Sequence, residues 1–139
     1  YGVLYNWPAV MTEGICPSGW HIPSDGEWQT MEMSLGMSES EAADGGWRGT
    51  DEGYQMKSSS GWNNGANGSN SSGFTGLPGG SRYPGGFYSN GTLVNWWSAS
   101  EAGSHSWKRL LMQGDDDVYR NYEDEDDRNL GFSARCVRD

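Results

Sequence analysis

Half of the chain's 22 glycines fall between Trp47 and Asn90, in the stretch WRGTDEGYQMKSSSGWNNGANGSNSSGFTGLPGGSRYPGGFYSN. Glycine at that density marks turns, positive-φ positions and close backbone approaches, and it argues against long helices. A structureless loop of such length inside a compact domain needs side chains to tie it down. Trp47, Tyr54, Met56, Trp62, Phe74, Leu77, Tyr83 and Phe87 recur through it at short intervals and are the candidate anchors. The stretch reads as a long excursion folded against a body, not as a linker between domains.

The body must be held by rings. The mean hydropathy of −0.80 alone would suggest disorder. Eight Trp, seven Tyr and three Phe, however, outnumber Leu, Ile and Val together. Each buried Trp removes roughly 150–250 Å² from water, an upper bound of about 4–6 kcal/mol before entropy is subtracted. With 139 residues this fits one folded domain, 1–139, with an aromatic core. No apolar run approaches the ~20 residues of a membrane span. The chain begins with Tyr1, so a removed leader or a place inside a longer protein is expected.

Two helices announce themselves by their caps. Ser24 and Glu27 form a capping box that starts a helix at Asp25. Trp28, Met31 and Leu35 then lay one apolar stripe along it before Gly36 stops it. Ser38 and Glu41 repeat the pattern for a shorter helix to about Asp44. Strand texture occurs first in YGVLYNW, ending at Pro8, and returns in LVNWWSAS, SWKRLLM, DVYRNY and GFSARCVRD. In the last, Phe132, Ala134 and Cys136 alternate with Ser133, Arg135 and Val137.

The net charge of −10 and pI near 4.4 make nucleic acid and anionic membranes poor partners. Most of that charge sits in the segment QGDDDVYRNYEDEDDRNLGF, residues 113–132. Strand sequence follows it, so it is a rim inside the domain and not a tail, with Val118 and Tyr119 holding it to the body. EF-hand spacing fails there: counted from Asp115, the sixth position is Arg120, and counted from Asp124 it is Asn129. A calcium site would have to draw on Asp51, Asn63, Asn64 and Asn67 in the excursion. His21 and His105 are too few, and too far from the cysteines, for a zinc spacing. A solvated row of acids has nothing to separate the pKa values of a catalytic pair. No catalytic residue is assigned. Sequons at Asn67, Asn70 and Asn90 mark exposed positions.

Cys16 and Cys136 stand near opposite ends of the chain. They are either two buried thiols or a disulfide closing a loop of more than about 100 residues, a constraint of about 4–5 kcal/mol. The loop-rich composition favours the bond, which would place the chain outside the cytosol.

LYNWPAVM, ICPSGWHIPSDGEW, GWRGTDEG, MKSSSGWNNG, GFTGLPGGSR, NWWSAS and GFSARCVRD, in this order, resemble the Fibrobacter succinogenes major paralogous domain family. The resemblance spans essentially the whole chain, which lacks the family's usual opening strand region ahead of LYNW and so looks like the C-terminal bulk of a longer module. It implies secreted or surface-anchored bacterial proteins. It also implies an α+β, C-type-lectin-like fold: small twisted antiparallel sheets, two helices and the Gly-rich excursion. That fold is shared with formylglycine-generating enzymes and with the variable proteins of diversity-generating retroelements. In it the terminal strands pair, which would bring Cys16 and Cys136 together.

The enzymes of that superfamily rely on a pair of nearby reactive cysteines, and Cys136 stands alone in its region. The expected function is therefore non-enzymatic binding, adhesion or display at a bacterial surface. Ser104, His105, Lys108, Arg120, Tyr122, Glu123 and Asp124 are the candidate contacts for a protein or carbohydrate ligand. A subunit of an extracellular fibre or appendage, bound to copies of itself, is the alternative. An enzyme is the third reading.

Overall fold

A computed structural model describes residues 1–139, the side chain of Asp126 excepted. Asn6 ends the extended start of the chain. Its Oδ1 accepts from Ala9 N at 3.0 Å, and Pro8 suits a first helical turn, so the short helix α1 (Trp7–Val10) forms. The strand expected over YGVLYNW is thus reduced to one bridge, in which Tyr5 and Phe132 exchange backbone hydrogen bonds of 2.8 and 3.0 Å. Strand β1 (Trp20–His21) precedes α2 (Asp25–Leu35) and α3 (Glu39–Ala43). Both of these helices carry the full reciprocal capping box, Ser24 with Glu27 and Ser38 with Glu41. Gly36, at φ 133°, ends α2 as expected.

The excursion is structured. It contains β2 (Gly46–Arg48), α4 (Glu52–Met56), a 3₁₀ turn at Asn63–Gly65 and the hairpin β3 (Ser81–Tyr83) and β4 (Gly86–Tyr88). Met56, Trp62 and Phe74 are its anchors, each under a tenth exposed. Trp62 also donates from Nε1 to Gly76 O at 3.0 Å. Trp47, Tyr54, Leu77, Tyr83 and Phe87 are exposed instead. Trp47 lies on β2, the edge of its sheet, and Tyr83 and Phe87 lie on the short β3–β4 hairpin.

Long strands follow: β5 (Leu93–Ala102), β6 (His105–Met112) and β7 (Val118–Glu123), then a 3₁₀ helix (Glu125–Asn129) and β8 (Val137–Arg138). One antiparallel sheet runs β2-β7-β6-β5, and β8 pairs with β1 in a separate two-stranded sheet. Of the strand expected over GFSARCVRD, only Val137–Arg138 forms a ladder. Phe132 and Ser133 make single bridges, yet Phe132, Ala134 and Cys136 still pack into one core as the alternation required. Cys16 and Cys136 are joined in a disulfide. The chain is an α+β fold of several antiparallel sheets and few helices.

Register divides the core in two. Residues directly opposite across an antiparallel pair share a face. Trp96, Arg109 and Arg120 are aligned in this way, two residues along from Val94, Leu111 and Val118. On this face Val94, Trp96, Leu111 and Val118 pack with Trp28, Met56, Trp62 and Phe74. On the other, Trp97 meets Phe132 at 4.4 Å between ring centres and joins Trp7, Val10, Ile22 and Leu130.

Candidate functional site

An alternating run of charge fixes α2 to the first face of the sheet. Arg48 donates from Nη1 and Nη2 to the two Glu32 oxygens at 2.9 and 3.1 Å. Arg109 bonds Glu32 through Nε and Asp25 through Nη1, the latter at 2.7 Å. Arg120 forks onto Asp25 with Nη2 at 2.7 Å and Nε at 3.0 Å. The side chains of these five residues are at most a tenth exposed. Burial would raise the Asp25 pKa, but the hydrogen bonds and charges of Arg120 and Arg109 outweigh it and bring it down to about 2.

Arg120, expected among the ligand contacts, is thus buried and bound to Asp25 inside the protein. Besides Asp25, it donates to Ala43 O at 2.8 Å and Asp44 O at 3.2 Å. The cause is the β7 alternation, which turns Arg120 inward with Val118.

Beyond the N-terminus of α2 the same face stays open. Arg120 lies 3.8 Å over the Trp107 ring, Trp107 meets Tyr122 edge-on at 5.2 Å, and Tyr122 stacks on His105 at 4.7 Å. Ser104, in the β5–β6 turn, and Asp124, after β7, flank this row and are both exposed. His105 Nδ1 lies 2.9 Å from Asp124 Oδ1, within ion-pair reach but out of line for a hydrogen bond. Arg128 ties the following 3₁₀ helix to the hairpin, donating to Glu101 Oε2 at 3.0 Å and His105 O at 3.2 Å. Ser104, His105, Tyr122 and Asp124 are thus brought together, and Trp107 joins them from a position the sequence reading passed over.

Lys108 and Glu123 belong to the other face. They form an ion pair with each other, and the Lys108 ammonium sits 5.1 Å from the Phe132 ring centre. Period-two alternation explains the split, since Glu123 lies opposite Ser106 while Tyr122 lies opposite Trp107.

The first acidic cluster is gripped by its backbone. Tyr54 N donates to Asp116 O at 3.0 Å, and Lys57 Nζ donates to Asp115 O. Gly53 permits this approach, because a Cβ there would collide with the Asp117 carbonyl. Burial lowers the Lys57 pKa against the opposing pull of Asp116, Asp115 and Asp117.

The residues proposed for calcium serve the turns. Asp51 Oδ1 accepts from Gln55 Nε2 at 2.9 Å, and Asn67 Oδ1 accepts from Trp62 N at 3.0 Å. Asn64 turns the chain at φ 53°, and the Asn63 carboxamide packs against Gly91. Among the described residues no three His, Cys, Asp or Glu side chains form a group that could hold a metal ion.

The sequence model of the Fibrobacter succinogenes major domain matches residues 1–138. The chain belongs to that family. Neither curated proteins nor solved structures give a match. In this Fibrobacter succinogenes major domain, ICPSGWHIPSDGEW supplies the bonded Cys16, strand β1 and the α2 capping box. GWRGTDEG supplies Arg48, and GFSARCVRD supplies Phe132 and Cys136. Those motifs therefore build the scaffold, and the row of rings lies outside all of them.

Proposed function

We propose that this domain is a non-enzymatic, extracellular or cell-surface module of C-type-lectin-like fold. It binds a carbohydrate or protein ligand through the open end of its four-stranded sheet. The observation that carries the reading is the row His105–Tyr122–Trp107. Tyr122 is 42% exposed and is held between the His105 ring and Trp107, which in turn lies under the buried Arg120 guanidinium. Rings held in this way offer π-faces and edges at small entropic cost, as sugar rings and cationic or aromatic side chains require. Ser104 and Asp124 add polar groups beside them. The disulfide suits an oxidising compartment. Arrays of glycans and of surface proteins, probed with the wild-type domain and with Tyr122→Ala, test the reading. Binding that ignores Tyr122→Ala would place the site elsewhere.

One observation favours the alternative of a fibre or appendage subunit. Phe87 is 74% exposed on β4 of the β3–β4 hairpin, with Tyr88, Tyr1 and Val3 also bare around a shared groove. Apolar surface of this kind suits association between copies. Sedimentation at rising concentration, with Phe87→Ser as control, distinguishes the two readings. Concentration-dependent growth abolished by Phe87→Ser supports the subunit.

A further inference from the structure

A cavity of about 200 Å³ lies between α2, the excursion and the C-terminal segment. Its walls are largely apolar, built from Trp28, Met31, Phe74 and Val137. Arg135 stands at its edge, with the guanidinium 4.4 Å above the Phe74 ring and Nη2 donating to Phe74 O at 2.7 Å. No carboxylate among the described residues pairs with it. Trp28 is 2% exposed, and its indole N–H has no acceptor in the protein.

The acid that also lines the cavity is already committed. Glu27 Oε2 accepts from Ser24 N and Oγ, each at 2.8 Å, and its Oε1 lies 2.8 Å from His21 Nε2. The cavity therefore offers apolar walls and, at its edge, one guanidinium that no carboxylate among the described residues neutralises. An apolar cavity of about 150 Å³ already admits benzene. We propose that this cavity binds a small apolar carboxylate, a single ring carrying a short acid chain. The ring enters among Trp28, Met31 and Phe74, and the carboxylate meets Arg135. Because the chain as a whole is strongly negative, a preference for the anion has to come from Arg135 itself.

The indole N–H resonance of Trp28, assigned with Trp28→Phe, reports binding in the ¹⁵N-labelled protein. Titration with 3-phenylpropionate should shift that resonance saturably, with an affinity about tenfold above that of 3-phenylpropan-1-ol. Arg135→Gln should bring the acid down to the level of the alcohol and leave the alcohol unchanged. A Trp28 resonance that moves with neither compound up to the solubility limit would overturn the proposal. So would an acid that binds no better than the alcohol to the wild-type chain, or a preference that persists in Arg135→Gln.

Discussion

Arg109 and Glu32 meet in the interior with both side chains fully buried, Nε to Oε1 at 2.5 Å. Between them they join the middle of the sheet to the last turn of α2. Two more guanidiniums and one more carboxylate extend the contact on either side, so that no buried charge in the run lacks an opposite neighbour. Burying ion pairs wins little net stability over an apolar core, but leaving one partner alone is costly. Glu32→Gln, which leaves Arg48 with no carboxylate and Arg109 with Asp25 alone, should therefore lower unfolding free energy by about 3–5 kcal/mol in urea titration.

Asp25 predicts the acid limb of the stability curve. Its folded pKa of about 2 lies below the ordinary 3.8. Its contribution is thus fully present above pH ~4 and is lost as pH falls through 2, roughly 2 kcal/mol in all. Asp25→Asn should flatten that part of the curve and lower stability at neutral pH, as measured by denaturant titration across pH.

His21 acts in the opposite direction. Hydrogen bonds to Asp139 (2.6 Å) and Glu27 (2.8 Å) raise its pKa above 6.5. Its contribution is complete below 6.5 and disappears as pH rises through the folded value. NMR titration should place the His21 midpoint above 6.5, and His21→Gln should remove the matching slope from melting temperature against pH.

The disulfide spans a sequence separation of 120 residues, and both of its cysteines pack against the second core. Cys16→Ala with Cys136→Ala should cost about 2–5 kcal/mol, and reduction of the native protein should lower its melting temperature comparably.

Arg120 and Tyr122 are two residues apart on β7, and their variants should behave differently. Arg120→Gln loses a fork onto Asp25 and should melt earlier, whereas Tyr122→Ala should fold normally and lose only ligand.

Local chemistry made α2 and α3 legible, because Ser24, Glu27, Ser38 and Glu41 act within one turn of the chain. GFSARCVRD forms a ladder only at Val137–Arg138, whereas strands β5, β6 and β7 were readable from their β-branched and aromatic texture. The ionic run was not, since its partners are 16 to 95 residues apart. A trace of it was present: Asp25 and Glu32 stand three residues before and four after Trp28, two acids on an otherwise apolar stripe. An acid there needs a buried cation, and strand register alone selects Arg109 and Arg120 for that role. Trp107 was missed for the same reason, because only its pairing with Tyr122 separates a ligand-facing ring from a core one.

Ligand should meet the His105–Tyr122–Trp107 row, and not the β3–β4 hairpin. Affinity for the strongest array ligand should be measured by calorimetry for Tyr122→Ala with His105→Ala, and for Phe87→Ser with Tyr88→Ser. Binding at the row predicts a loss of at least about tenfold for the first pair and little change for the second. Retained binding in the first pair and loss in the second would contradict it.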